Sequence, residues 1–221
     1  MAADLLPLLF FLLVGAAVVA LSIWLAARRR KALVAVAQSL GLSFDPRARG
    51  LDPGERRLEA LSPGSHPRVA NEMRGAFKGR QVRCFDFAYT VQSGKNKTTR
   101  HRGVAICEVP RSWPRVCIVP ETVGHKIADA LGADDIDFES QEFSDRFWVR
   151  GDDARFAYDV IDPRMMEYLM EPGVTRWEIR EGRLAVWQDR HFRPEEIAPA
   201  LDRLVGFVER VPAHVRAREA A

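Results

Sequence analysis

Residues 5–27 read LLPLLFFLLVGAAVVALSIWLAA, a run of 23 residues without a charged side chain. A helix rises 1.5 Å per residue, so this run spans about 34 Å and is long enough for a hydrocarbon core of about 30 Å. The run therefore predicts a single transmembrane helix, with the lipid bilayer as its partner. A cleaved signal peptide is the alternative, but residues 1–4 lack the basic start of a signal peptide and the apolar run is longer than one.

Four consecutive bases follow the apolar run: Arg28, Arg29, Arg30 and Lys31. Positively charged flanks stay in the cytoplasm, and only residues 1–4 have to cross the membrane. The sequence thus predicts a single-pass protein of the inner (cytoplasmic) membrane, with its N-terminus outside and its soluble domain in the cytoplasm. The four bases are also candidate contacts for anionic lipid headgroups.

The charge of the chain is unevenly distributed. The net charge is +3, and residues 1–31 alone sum to +3, so the remainder is neutral. A neutral soluble part argues against general nucleic-acid binding. Residues 47–126 carry sixteen bases and seven acids, whereas residues 127–221 carry thirteen bases and twenty-one acids. Either the two halves pack together or the first half faces an anionic bilayer; we favour the first interpretation.

The chain contains three cysteines, Cys84, Cys107 and Cys117, without a CxxC spacing. An odd number of widely spaced cysteines argues against a disulfide framework. Reduced, buried thiols are typical of a cytoplasmic domain.

Residues 81–91, QVRCFDFAYTV, alternate in the manner of a half-buried strand. One face carries Phe85, Phe87, Tyr89 and Val91, and the other carries Cys84, Asp86, Ala88 and Thr90. Further strands are predicted at residues 69–77, 99–109 and 115–119. Short turns link them, which indicates antiparallel pairing.

The second half mixes helices and strands. We expect a helix over residues 121–131, strands at 136–139 and 143–150, helices opened by Asp152 and by Asp162-Pro163, a hairpin of 174–180 with 183–188, and a final amphipathic helix over 194–210. The predicted fold class is α+β: one N-terminal transmembrane helix, an antiparallel sheet or barrel-like domain with several helices, and a C-terminal amphipathic helix.

The elements suggest four segments. Residues 1–31 form the anchor and its basic flank, 32–67 a juxtamembrane helix and linker or irregular cover, 68–210 the soluble domain, and 211–221 a flexible tail. In the juxtamembrane helix an apolar stripe ends before Gly41, a natural helix stop. The stripe either docks on the domain or remains an exposed stalk.

No residue pattern indicates catalysis, a cofactor or a metal ion. Gly94-Lys95 lacks the first glycine of a phosphate loop, since Tyr89 stands there. The acids between Asp134 and Asp145 fail the spacing of a calcium loop and suggest a solvated, charged strand end. The histidines lack metal-ligand spacing.

Cys84 is a candidate nucleophile, with His125 or His191 as its base. We favour the alternative that Cys84 is a small, buried hydrophobic residue of the core. We likewise rank core packing above a binding groove for Met165, Met166 and Met170.

A second basic cluster surrounds His101 near a predicted hairpin tip. Its members are Lys95, Lys97, Arg100 and Arg102. Solvation of a strand end is one interpretation, and contact with anionic headgroups is the other.

Residues 135–170 carry the pattern EF-x-x-x-F-x-V, then a helix with a central aromatic residue or alanine, then Pro-x-x-Met. The positions are Glu142, Phe143, Phe147, Val149, Phe156, Ala157, Pro163, Met166 and Leu169 or Met170. Together with Phe85-Asp86-Phe87 and Ser93-Gly94-Lys95, the pattern resembles a group of uncharacterised bacterial membrane-anchored proteins. The resemblance implies a shared core in a domain of unknown function, and it offers no known catalytic residues to carry over.

The favoured function is a membrane-tethered, non-catalytic module that binds lipid headgroups or a membrane protein. One alternative is a membrane-anchored hydrolase that uses the Asp134–Asp145 acids or Cys84. The other is a headgroup binder with a pleckstrin-like barrel, an analogy of fold alone.

Overall fold

The computed structural model describes residues 2–48, 50–62, 64–94, 96–121 and 136–217. Helix α1 runs from Ala2 to Ser39 without a break, so the predicted anchor and juxtamembrane helix are one helix. The large apolar side chains between Phe10 and Leu25 are exposed on the protein surface. Among the described residues, α1 is the one helix whose length and composition suit a membrane crossing. These properties indicate a membrane anchor.

The C-terminal part of α1 packs on the soluble domain. Leu33 and Ala37 are buried there. Just after the helix, Gly41 has a φ of +69°, and the Leu42 N–H donates a 2.8 Å hydrogen bond to the Ala37 carbonyl. This is a Schellman stop, which needs a residue that tolerates positive φ. The predicted apolar stripe is therefore docked.

Eight antiparallel strands form an open sheet in the order β1-β2-β3-β4-β8-β7-β5-β6. They are β1 (Ser43–Asp45), β2 (Ser65–Phe77), β3 (Arg80–Ser93), β4 (Asn96–Glu108), β5 (Val116–Pro120), β6 (Phe147–Gly151), β7 (Arg176–Arg180) and β8 (Arg183–Gln188). The predicted α+β class is confirmed. The analogy with a closed pleckstrin-like barrel is wrong, because β1 and β6 lie at opposite edges.

Strands β2, β3 and β4 are much longer than the others. Strand β8 pairs with β4 only between Gly103 and Glu108. The remaining parts of β2, β3 and β4 therefore project as a three-stranded extension. The alternation predicted for β3 is confirmed, since Phe85 and Phe87 are buried on one face and Cys84 on the other.

Helices cover one face of the sheet. They are α2 (Gln141–Ser144), α3 (Ala154–Val160), α4 (Pro163–Met170), α5 (Pro194–Arg210) and α6 (Ala213–Ala217). Trp177 of β7 and Phe207 of α5 stack at the centre, with ring centroids 5.2 Å apart. The apolar stripe of α5 faces the sheet, as its helical spacing predicts.

Residues 51–61 cover the other face, as an irregular segment with a short 3-10 helix at Glu55–Arg57. Buried and half-buried ion pairs attach this cover. Arg83 contacts both Glu55 and Glu72, and Glu59 contacts Arg150. The interpretation as irregular cover fits this arrangement, while the four-segment division of the chain stays a prediction.

Three predicted elements differ in the structure. Residues 136–139 are not a strand, and the predicted strand at 143–150 begins only at Phe147. Ser140 accepts the Phe143 N–H and opens α2 instead, so local capping outcompetes strand pairing. Asp153, one residue after the expected Asp152, caps α3.

The expected flexible tail is ordered over α6, where Val215 is buried in the core. Its apolar side chain supplies the packing that a frayed end lacks. Several sequence predictions fall outside the described residues. These are the helix at 121–131 beyond Glu121, and the roles of Lys95, His125, Asp134 and Asp135.

Candidate functional site

The four bases behind the apolar run have different surroundings. The Arg28 guanidinium lies 5.4 Å from the ring centroid of Trp24. Lys31 is exposed, and Arg30 is exposed beside a groove. Arg29 is half-buried and points to the sheet. One member of the run thus anchors the helix, and the others remain at the surface.

Arg29 forms a bidentate ion pair with Asp86 of β3. The two N–O distances are 2.6 and 2.9 Å. Arg29 also donates to the carbonyl of Phe192 at 3.0 Å, and the Asn71 amide donates to Asp86 at 2.8 Å. Asp86 is 8% exposed. Its charge is therefore neutralised and its oxygens are hydrogen-bonded, as burial of a carboxylate requires.

Gly103 of β4 allows the loop after β8 to approach the sheet. A Cβ atom at this position would lie 2.5 Å from the backbone nitrogen of Phe192. Only glycine fits such a contact without displacement. The close approach brings the Phe192 carbonyl to Arg29 and places His191 on the same side of the sheet.

His191 and His101 form an edge-to-face pair with ring centroids 4.7 Å apart. Burial lowers the pKa of His191, and the nearby charge of Arg29 adds to the effect, while Asp86 opposes it. Both histidines line the same groove as Arg30.

The groove has a volume of about 960 Å³ and lies between α1 and the three-stranded extension. The α1 wall includes the last apolar residues of the anchor, Ile23, Ala26 and Ala27, and the strand wall includes Ala70, Ala88 and Thr99. These strand residues share a face because side chains alternate. Their small size leaves room between helix and sheet.

Besides Arg29, two cationic side chains line this groove, Arg30 and Arg68. Neither forms an ion pair with any residue that the structure describes. Because Asp86 is already neutralised by Arg29, the groove carries a positive excess. The arrangement is suited to an anion with an attached apolar part.

The second basic cluster is divided between the two faces of β4. His101 pairs with Ala88 and Arg100 pairs with Tyr89, so His101 faces the groove and Arg100 faces away. Lys97 is four residues from His101, which places it on the groove side near the hairpin tip. The cluster that looks continuous in sequence is therefore not one surface.

Arg102 is also on the face away from the groove. Its guanidinium donates to the carbonyls of Glu59 and Ala60 at 3.0 and 2.8 Å and lies 5.2 Å from the Tyr89 ring centroid. Its side chain is 14% exposed. Arg102 holds the cover on the sheet, and we omit it from the proposed lipid contacts.

Cys84 is buried in the core, and burial raises the pKa of its thiol far above the usual range. A thiol that stays protonated and inaccessible is a poor nucleophile. In the part of the chain that the structure describes, no group of three or more His, Cys, Asp or Glu side chains is placed to hold a metal ion.

Three acids of the predicted strand end lie beside a second groove, not on a strand. Asp137, Glu139 and Glu142 line it. Met166 and Met170 also line it, whereas Met165 is fully buried. Core packing, which we favour for the three methionines, accounts for Met165. Met166 and Met170 pack against the core and also line the groove.

Sequence reasoning did not identify Arg68, Asn71 or His191 as groove residues. Their positions depend on long-range contacts, and β2 contains an irregularity between Ala70 and Met73 that defeats simple alternation. Asp86 carried a usable signal: it is a lone acid on a strand face otherwise made of small residues.

Comparisons with known proteins give a similar fold and no family. No protein-family model matches the chain, and no curated protein matches it in sequence. The crystal structure of the mycobacterial trehalose monomycolate transport factor A, TtfA, is similar, with a TM-score of 0.56 and 14% identity. The alignment covers 84% of this chain and 95% of that chain. At this identity the likeness shows that the two proteins share a fold.

Proposed function

We propose that the chain is a membrane-tethered, non-catalytic binding module that holds the anionic headgroup of a membrane lipid in the groove between α1 and the three-stranded extension. One observation carries the proposal: the inner end of the apolar anchor and a cationic strand face form opposite walls of the same groove. The cytoplasmic placement rests on the basic flank of the anchor.

The groove is at the right height for a lipid headgroup. Ile23, Ala26 and Ala27 belong to the uncharged run, so they lie at the inner edge of the hydrocarbon core when α1 spans the bilayer. Arg30 follows them directly, at the level where headgroups begin. A lipid can therefore keep its acyl chains beside α1 while its headgroup reaches the sheet.

Charge selects an anionic headgroup. Arg30 and Arg68 have no ion-pair partner among the described residues, and guanidinium groups bind phosphate with paired hydrogen bonds. Exposed Lys97, near the hairpin tip, adds a cation on the same face. The surface run of Arg28 and Lys31 adds general attraction to an anionic leaflet.

The size of the groove also supports a ligand. A volume of about 960 Å³ lies within the range of small-molecule sites. Its walls combine small apolar residues with arginine, asparagine and histidine side chains, which can orient an anionic ligand. TtfA is described as a transport factor for trehalose monomycolate. A lipid-associated role for this chain is compatible with that description.

We assign no catalytic role. The candidate nucleophile Cys84 is buried, and Asp86 is held in a bidentate ion pair with Arg29, so neither side chain is available as a nucleophile or base. The hydrolase alternative remains a prediction for the acids at the second groove.

Photo-crosslinking of lipids tests the proposal. The full chain is placed in nanodiscs that contain phosphatidylglycerol or phosphatidylcholine with a diazirine near the headgroup, and the crosslinked peptides are identified by mass spectrometry. We expect crosslinks from phosphatidylglycerol at residues 23–30 and 68–101. Arg30→Gln/Arg68→Gln should lower the crosslinked fraction by about tenfold, the effect of about 1.4 kcal/mol.

Arg47→Gln/Arg100→Gln is the matched control. Both arginines are exposed, and the double variant removes the same charge away from the groove. It should retain the crosslinks of the wild type. Equal losses in the two double variants would mean that bulk charge, not the groove, attracts the lipid, and the proposal would then be wrong.

A further inference from the structure

The second groove lies between residues 137–142 and helices α3 and α4, and has a volume of about 870 Å³. It is separate from the lipid groove and shares none of its lining residues. Its floor is apolar and its rim is acidic. The floor residues are Phe138, Tyr158, Met166 and Met170.

Tyr158 is the most unusual part of the floor. It is 49% exposed and, outside α1, only Val91 is also an exposed large apolar side chain among the described residues. The ring is held in place: its hydroxyl donates to the Asp137 carbonyl at 3.0 Å, and its centroid lies 5.2 Å from that of Phe138. A fixed, exposed aromatic ring is typical of a contact surface.

The rim is negatively charged and lacks cationic partners. Glu139, Glu142 and Glu167 are exposed, and none forms an ion pair with a residue in the described ranges. Asp137 likewise forms no ion pair with a described residue. Asp162 caps α4, where its side chain accepts a hydrogen bond from the Met165 N–H at 2.8 Å. No Lys or Arg is among the described residues of the lining. Elsewhere the chain neutralises its buried acids, as at Glu55 and Asp86.

From this combination we infer that the groove binds a cationic, amphipathic segment at the cytoplasmic flank of a neighbouring integral membrane protein. Apolar side chains of the segment fill the floor, and its Lys or Arg side chains pair with the rim. Methionine side chains are flexible and adapt to such ligands. An anionic lipid surface is repelled by the same rim.

The choice of partner follows from the placement of the chain. The anchor confines the domain to the membrane surface, and cytoplasmic flanks of membrane helices are rich in Lys and Arg. This choice rests on the cytoplasmic orientation in the proposed function. The binding of a basic peptide to the groove does not depend on that orientation. The inferred peptide binding and the proposed function can therefore fail separately.

Peptide binding to the full chain tests the groove. The protein is held in phosphatidylcholine nanodiscs, and a fluorescein-labelled peptide of lysines with two leucines at i, i+4 spacing is titrated by anisotropy. Empty nanodiscs give the background. We expect saturable binding that weakens by at least about tenfold in Glu139→Gln/Glu142→Gln/Glu167→Gln and in Tyr158→Ser.

Glu108→Gln/Glu195→Gln/Glu209→Gln is the control, because it removes three exposed acids outside the groove. It should bind like the wild type. If the control weakens binding equally, or if a lysine–serine peptide binds as tightly as the leucine-containing one, only bulk charge is involved and the groove proposal is overturned.

A photoreactive amino acid at position 141 of the full chain, an exposed position beside the groove that leaves Tyr158 and the acidic rim intact, identifies the binding partner in cells. We expect its crosslinks to map to the basic flank of a transmembrane helix and to disappear in the triple Glu→Gln groove variant. Crosslinks that map to lipid, to a second copy of the chain or to a soluble protein contradict the inferred partner.

Discussion

Arg29 of helix α1 and Asp86 of strand β3 are joined by two hydrogen bonds, of 2.6 and 2.9 Å, across 57 residues of sequence. The pair connects the first turn after the apolar run to the middle of the sheet. Together with buried Leu33 and Ala37, it makes the anchor and the domain one packed unit. The groove therefore has a fixed helical wall, not a flexible tether.

Arg29→Gln should lower the free energy of unfolding by about 1–3 kcal/mol, because Asp86 would keep its burial and lose its bidentate partner. Denaturant unfolding of the full chain in detergent, followed by tryptophan fluorescence, measures the change. The same variant should increase the separation between spin labels on α1 and β3.

Arg28→Gln is the control for that variant, since the Arg28 guanidinium lies over the exposed Trp24 ring and the substitution should change stability by less than about 1 kcal/mol. Asp86→Asn completes a double-mutant cycle. A coupling energy near zero between positions 29 and 86 would contradict the role assigned to the pair.

A second ion network fixes the cover to the sheet. Arg83 of β3 is 6% exposed and contacts Glu55 of the cover and Glu72 of β2. Arg83→Leu should destabilise the protein by about 3–5 kcal/mol, because buried Glu55 would lose its counterion and buried Glu72 would keep only the exposed Arg74. The free energy of unfolding and limited proteolysis within residues 51–61 both report this loss.

Arg57→Leu is the comparison for that experiment. Its ion pair with Glu181 is exposed, and exposed pairs contribute at most about 1 kcal/mol. Equal destabilisation by Arg57→Leu and Arg83→Leu would show that burial does not govern the strength of the network.

Local patterns predicted much of the fold. Alternation placed β3 correctly, Asp162-Pro163 opened α4 at Pro163, and the apolar stripe gave α5 from Pro194 to Arg210. Each signal depends on neighbours within a few residues. Two-residue turns at Lys78-Gly79 and Glu181-Gly182, with positive φ at both positions, closed the predicted hairpins.

The site was less accessible to sequence reasoning. Residues 51–61 have no periodic pattern from which their position could be predicted. Ion pairs with distant residues hold them on the sheet, such as Glu55 with Arg83, 28 positions away. The basic cluster around His101 looks continuous in the sequence, although strand alternation alone places Arg100 and His101 on opposite faces. The acids before α2 suggested a strand end, but capping by Ser140 and packing of Phe138 made a groove.

His191 should make stability depend on pH. Its pKa is lowered by burial, with a contribution from Arg29. The unfolded chain therefore takes up a proton near the ordinary histidine pKa of about 6.5 while the folded protein does not, so stability falls as the pH drops below that value. The melting temperature in phosphatidylcholine nanodiscs should fall between about pH 7.5 and about pH 5.5, and His191→Gln should reduce the fall.

His66→Asn serves as the control for the pH experiment. The His66 side chain is exposed, and its positive φ of 53° is tolerated by asparagine. This variant should retain the pH dependence of the wild type. A wild-type melting temperature that rises on acidification would contradict the sign derived from His191.

Orientation is governed by the charges on either side of the apolar run. A C-terminal green fluorescent protein should fluoresce, and a C-terminal alkaline phosphatase should be inactive, because the bases at 28–31 are expected to keep the domain in the cytoplasm. Replacing Arg28, Arg30 and Lys31 by serine and residues 2–4 by lysine should produce phosphatase activity; Arg29 is kept because it pairs with Asp86. Phosphatase activity in the unmodified chain would place the domain outside, and the basic flank would then not determine the topology.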